Sequence, residues 1–321
     1  MSEDTGFLSK QMRPYLVIFS GQAFSLFGSR LVQFALVWYL TAQTGSAQVL
    51  ATASIAAIIP QVVLAPFAGA LVDRWNRKQV MMVSDSMIAA TVLVLAGVFT
   101  LNRVEVWHIY AVMLIRSTGS AFQWPAMQAS TSMMVPREQL PRVAGLNQSL
   151  QGLVSIVAPP LGAVLLEIFP IEYVIAVDVL TAIMAVGPLV FIAVPQPERK
   201  DLSARGVLSD MREGFSWILS KKPLVQIMMI SLAINMVTNP AFSLLPLLVT
   251  DYFNGGAIEL AWIQSANGLG MILGGLALGV WGGFKSKSKT AFSAITVAGL
   301  GLLGFSQTPS KLLWLGICFV F

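Results

Sequence analysis

Apolar runs of about twenty residues recur along the whole chain, and the charges collect in short segments between them. A run of that length crossing roughly 30 Å of hydrocarbon must be helical, because a helix satisfies its own backbone hydrogen bonds and a lone strand does not. Barrel strands alternate apolar and polar residues over only about 10 positions, and these runs do not alternate. The chain therefore reads as an all-α membrane protein. With 56% hydrophobic and 11% charged residues among 321, it has too little polar surface for a water-soluble domain.

The first six runs cover about 15–40, 49–71, 80–101, 106–127, 143–169 and 173–194. Pro60 and Pro66 in the second, and Pro159 and Pro160 in the fifth, are expected to bend their helices, with neighbours satisfying the freed carbonyls. The longest polar stretch, from Pro195 to Pro223, follows the sixth run; its segment MREGFSWIL has the spacing of a surface-lying helix. Further runs occupy about 224–249, 260–281 and 290–305. A last segment, LLWLGICFVF, is too short to cross by itself.

Lys and Arg resist translocation and mark cytoplasmic loops. With the runs threaded in alternation, all of the 20 Lys and Arg except Arg30, Arg103, Arg116 and Lys311 fall on one side. That asymmetry places the N-terminus and the central polar stretch in the cytoplasm. It also accounts for the net charge of +5 without nucleic acid, since the basic residues sit in turns. No secretory signal is apparent, because the first run is too long and lacks a small-residue cleavage site. The single cysteine, Cys318, forbids an internal disulfide and has no metal-ligand spacing.

Sliding the chain so that Thr44-Gly45 falls on Asn254-Gly255 brings Gly69 onto Gly279, and one basic turn onto another. Parallel repeats of six helices joined by a cytoplasmic linker are a secondary-transporter architecture. The expected division is 1–194 for a six-helix bundle, 195–222 for the linker and 223–321 for a partial second bundle of three helices and the start of a fourth. No Gly-Lys-Ser/Thr phosphate loop and no trio of nucleophile, base and orienter is present, so no enzymatic activity and no cofactor is expected.

Between the second and third runs, Gly69, Asp73, Arg74, Arg77 and Lys78 form the pattern GALVDRWNRK. It resembles the loop 2–3 motif of the major facilitator superfamily, with Asn76 where that motif has glycine. Arg116 begins RSTGSAFQWP, similar to the family's arginine motif in helix 4, and Gly145, Pro159 and Gly162 stand at the spacing of its antiporter motif in helix 5. Ala158, Ala163 and Val154 replace glycines of that last motif. Together with SGQAFSLFGSRLVQFALVWYLTAQTGSA and LNQSLQ, these stretches are similar to the macrolide-efflux branch of proton-coupled bacterial drug exporters. Siderophore exporters resemble it too.

The resemblance implies a monomeric multi-pass transporter of the cell membrane, with two pseudo-symmetric six-helix halves. It would export macrolide-like or other amphipathic organic compounds by proton antiport and alternating access. Export of an endogenous metabolite or siderophore, or a non-transporting scaffold or sensor with this fold, are the alternatives. About nine and a half helices are present, so the chain reads as C-terminally truncated, without helices 11 and 12. In the family, the loop aspartate caps helix 11 and the cations latch the halves; a plain topology signal is the alternative.

A guanidinium deep in a bilayer costs at least about 2.5 kcal/mol unless it faces something polar. Arg30 and Arg116 are therefore candidates for the central cavity or for proton coupling. Arg30 is alternatively a buried arginine satisfied by carbonyls or by Gln33, Gln22 or Asp178. Among embedded carboxylates, Asp178 is a candidate proton site, and Asp85 is read as structural, paired with cytoplasmic cations. His108 is read as a solvated or interfacial residue. Phe24, Phe34, Trp38, Phe122, Trp124 and Met127 either line a greasy cavity or pack against helices and lipid.

Overall fold

The computed structural model describes residues 12–196, 216–284 and 287–309. Its first six long helices are α1 (Arg13–Thr44), α2 (Ala47–Val72), α3 (Arg77–Thr100), α4 (Val106–Met134), α5 (Leu140–Ile168) and α6 (Ile171–Phe191). Three more follow: α7 (Lys222–Leu247), α8 (Ala257–Trp281) and α9 (Lys287–Ser306). Most of the linker and the segment LLWLGICFVF, with Cys318, lie outside the described residues.

Apart from α4, which begins at Val106 as expected, the apolar runs become helices that begin a few residues before them, and α6 stops at Phe191, short of the expected 194. Ends are set by local chemistry: Ser46 caps α2 by accepting from the Val49 amide, and Asn76 caps α3 by accepting from the Gln79 amide at 3.2 Å. Gly45 closes α1 at φ 55°, a left-handed conformation natural to glycine. Pro60 and Pro66 lie inside α2, and Pro159 and Pro160 inside α5, without ending either helix. Beyond Pro246, α7 widens into a π-helical turn, Leu248–Tyr252, where the Phe253 amide reaches back to the Leu248 carbonyl at 3.2 Å.

Two apolar cores show how α1 to α6 alternate. Tyr15, Val72, Val80, Val135, Val143 and Leu189 meet at one end of the bundle. These are the start of α1, the end of α2, the start of α3, the region after α4, the start of α5 and the end of α6. At the opposite end, Leu40, Leu50, Phe99, Ile109 and Val174 form the second core. The basic turn 73–78 belongs to the first end, and Arg103 lies in the loop at the other.

Outside, the bundle is greasy: Val62, Val94, Leu180 and Phe191 are all exposed. Such a continuous apolar surface requires lipid as its solvent. Six described helices are long and apolar enough to cross a membrane on length and composition alone: α1, α2, α3, α5, α6 and α7.

The first six helices meet α7 and α8 along a tight seam. There α5 packs on α8, α2 touches α7, and Phe34, Ala163, Leu245, Val249 and Leu260 form a third core. Gly152 and Gly268 make the close approach possible. A Cβ at Gly152 would stand 2.6 Å from Ile272 Cγ1, and one at Gly268 would stand 2.9 Å from Ile156 Cγ1. Among the described residues, one hydrogen bond crosses this seam, from Ser265 Oγ to the Ile156 carbonyl at 2.7 Å.

Candidate functional site

Arg116 and Asp178, picked from the sequence on separate grounds, form a single buried ion pair. Arg116 is 7% exposed and Asp178 is 1% exposed. Arg116 Nη1 donates to Asp178 Oδ2, and Arg116 Nη2 donates to the Ser29 carbonyl at 3.1 Å. Ser29 Oγ donates in turn to Asp178 Oδ1 at 3.0 Å. The guanidinium fork thus serves α6 and α1 at once, a geometry an ammonium would not reproduce. Buried charges persist only when paired and hydrogen-bonded, and here three helices converge to do both. Gly28 allows the convergence, since a Cβ there would collide with Thr181 on α6.

Asp85 departs from expectation. It is 4% exposed, and no cation pairs with it among the described residues. Its Oδ2 accepts from Gln22 Nε2 at 2.8 Å, and Gln22 Oε1 accepts from Gln123 Nε2. The cations that its place in the chain offered are turned elsewhere. Arg77, about two helical turns earlier, points to α4, and Lys78 Nζ donates to the Val190 carbonyl at 3.0 Å. A small cavity of about 120 Å³ lies against this chain of side chains, lined by Gln22, Ser29, Asp85, Gln123, Asn147 and Gln151 among others. Trp124 and Met127 supply part of its apolar wall.

A larger cavity of about 420 Å³ opens between the first six helices and α7 and α8. Arg30, Gln33 and Phe34 of α1, Asn239 of α7, and Gln264 and Asn267 of α8 line it. Of the side chains expected to satisfy Arg30, Asp178 is held by Arg116 and Gln22 is engaged with Asp85 and Gln123, while Gln33 lines the same cavity as Arg30. The cavity is thus rich in donors around an arginine.

At the basic turn, Arg77 is buried while the Asp73 side chain is 68% exposed. Arg77 Nη2 pairs with Asp73 Oδ1 at 3.2 Å, and Nη1 donates to the Ala129 carbonyl at 3.1 Å and to Met133 Sδ. The Arg77 amide donates to Gln196 Oε1 at 3.1 Å. The turn therefore fastens the start of α3 to the ends of α4 and α6. Asn76, the departure from the family motif, works as the cap of α3. Gly69 has nothing within 4 Å of a would-be Cβ. Of the helix 5 residues, Pro159 lines the large cavity, Gly162 lies against Phe34, and Gly145 is exposed.

A sequence profile described as Major Facilitator Superfamily matches residues 18–321. The chain belongs to the major facilitator superfamily.

It is a multi-pass membrane transporter of that family, and several of its relatives carry the names of efflux proteins. It is 35% identical to Macrolide efflux protein A of Streptococcus pyogenes over 300 residues, 93% of this chain and 73% of that protein. It is 34% identical to Macrolide efflux protein A of Enterococcus faecalis over 270 residues, 84% of this chain and 82% of that one. Identity to Multidrug efflux pump Tap of Mycolicibacterium fortuitum is 26% over 318 residues, 95% of this chain and 76% of that one.

In this superfamily member, sequence reasoning missed the Asp85–Gln22–Gln123 chain and the role of Ser29. A signal existed in the polar residues of α1: Gln22 and Ser29 lie about two turns apart and so on one face. His108 sits where expected, in the first turn of α4, its Nδ1 accepting from the Glu105 amide at 3.1 Å and its ring stacked on Trp107. Phe122 stacks on Trp75, and Trp38 packs against the third apolar core.

Proposed function

We propose that the protein exports macrolide-like or other amphipathic organic compounds in exchange for protons, by alternating access of two helical halves. The observation that carries this reading is the large cavity, because its walls come from α1, α2 and α5 on one side and from α7 and α8 on the other. A site shared between two bundles changes its access when one tilts against the other. The macrolide and multidrug names of the relatives support the cargo.

Residues 1–194 and 223–321 are the two moving parts in this reading, and 195–222 links them. The basic end of the bundle faces the cytoplasm, which puts the N-terminus and linker there, and the protein works as a monomer in the bilayer. Gly69, Asp73, Arg74, Arg77 and Lys78 act as the conformational latch. Arg30 faces the cargo, and the Arg116–Asp178 pair ties α1, α4 and α6 into one proton-responsive unit. In helix 5, Gly145, Pro159 and Gly162 form the antiporter-like bend beside the cargo site.

A second reading follows from the donor-rich cavity. Arg30 with Gln33, Asn239, Gln264 and Asn267 suits cargo rich in anionic or carbonyl oxygens, as an endogenous metabolite or siderophore would be.

Uptake of radiolabelled erythromycin by cells with and without the protein tests the main reading. Lower accumulation in expressing cells, erased by a protonophore, is the expected result. Equal accumulation in both overturns it, and efflux indifferent to the protonophore removes the proton from the mechanism.

A further inference from the structure

We propose that Asp85 is the group that takes up and releases the coupling proton. The proposal rests on the proton-exchange reading above, and it concerns a residue outside the ion pair that the sequence brings to notice.

Asp85 is a buried carboxylate whose one described hydrogen-bond partner is the neutral amide of Gln22. The charged and titratable groups around it can be taken helix by helix. From α6 comes Asp178, whose carboxylate is committed to Arg116 and Ser29. On α4 it has neutral Gln123 nearby, and the Arg116 guanidinium of that helix is directed at Asp178 and Ser29. On α1 it meets Gln22, and across the small cavity α5 presents Asn147 and Gln151, all uncharged. On its own helix, Arg77 and Lys78 are engaged with α4 and α6. A charge buried without a cation is costly, and a proton removes it.

The local bonds serve both states. Gln22 donates to Oδ2 whether or not the acid is protonated, and no described donor occupies Oδ1, which is left to carry the proton. The cavity of about 120 Å³ beside it has room for more than one water and is lined by polar atoms that would hold them. In the exchange proposed above, the proton reaches Asp85 from water on one side of the membrane and, once access has switched, leaves to water on the other.

Asp178 is the weaker carrier. Protonating it would strand the Arg116 guanidinium, buried and unpaired. Ser29 connects the two carboxylates: it lines the cavity of Asp85 and donates to Asp178. A proton on Asp85 therefore changes the charge felt by the pair that holds α1, α4 and α6 together, which is how uptake reaches the helices.

Infrared difference spectroscopy of the purified protein in lipid, titrated from roughly pH 5 to pH 9, tests this at the carbonyl stretch of protonated carboxyl groups. The wild type should show a buried-acid band that disappears as pH rises and that Asp85→Asn removes. Gln22→Leu takes away the donor to the carboxylate while keeping the acid. It should move the midpoint upward by about one pH unit, a tenfold gain in proton affinity. Added erythromycin should shift the same band. A band that survives Asp85→Asn, or no band in the wild type, overturns the proposal. If Asp85→Asn does not fold, an unmoved midpoint in Gln22→Leu overturns it instead. The export reading fails separately. Erythromycin shifting a band that Asp85→Asn retains keeps export and discards Asp85. A band removed by Asp85→Asn but blind to erythromycin overturns the coupling of that proton to macrolide.

Discussion

Arg116 on α4 and Asp178 on α6, 62 positions apart in the chain, meet in an ion pair sealed from solvent, and the Ser29 hydroxyl and carbonyl complete it from α1. The pair has a measurable signature. Arg116→Gln and Asp178→Asn each leave an uncompensated buried charge, so each should lower stability by about 3–5 kcal/mol. The double variant should be less destabilised than the sum of the two, and thermal unfolding in detergent reads this as a double-mutant cycle. Strict additivity would show that the two residues do not interact.

Arg30 should decide what the large cavity accepts. Arg30→Gln removes the cation while keeping a donor, and should weaken a cargo bearing a carboxylate by about 1.5–3 kcal/mol, roughly tenfold or more in Kd. A neutral macrolactone should bind as before. Equilibrium binding of the two ligand types to the purified protein makes the comparison, and an equal loss for both would place Arg30 outside ligand recognition.

Asp73 and Arg77 should separate function from stability at the basic turn. Arg77→Ala deletes contacts to Asp73, the Ala129 carbonyl and Met133, so the melting temperature should fall, by about 1–3 kcal/mol in stability terms. Asp73 is largely exposed, so Asp73→Asn should leave melting nearly unchanged while slowing turnover. Melting curves alongside transport rates check both. A large drop in melting temperature for Asp73→Asn contradicts this division of labour.

Gly152 should tolerate no side chain while Ile272 faces it. Gly152→Ala forces α5 away from α8, and should cost about 1–3 kcal/mol through overpacking. Trimming the opposing residue with Ile272→Ala in the same protein should recover part of the loss. A single variant as stable as the wild type would mean that the seam yields freely.

The helices were legible in the sequence, because a bilayer sets the length of every apolar run. The run at about 15–40 became Arg13–Thr44, and that at about 106–127 became Val106–Met134, longer because polar residues such as Gln128 and Ser130 continue the helix at its end. The pairings were not legible. Whether Arg116 meets Asp178, or Asp85 meets a lysine, depends on how helices distant in sequence are rotated about their axes. Chain distance favoured Arg77 and Lys78 for Asp85; packing turned the first toward Ala129 and the second toward Val190, and gave Asp85 an amide. The motif 69–78 was recognisable as a pattern, yet the use of Asn76 as a helix cap appeared only with the backbone in place.

Where α5 meets α8, two glycines bring the backbones together and one Ser265 hydroxyl supplies the polar contact among the described residues. In the exchange proposed above, a tilt of one bundle over the other would have few described hydrogen bonds to undo there, and its resistance would come from the fit of Gly152 against Ile272 and of Gly268 against Ile156.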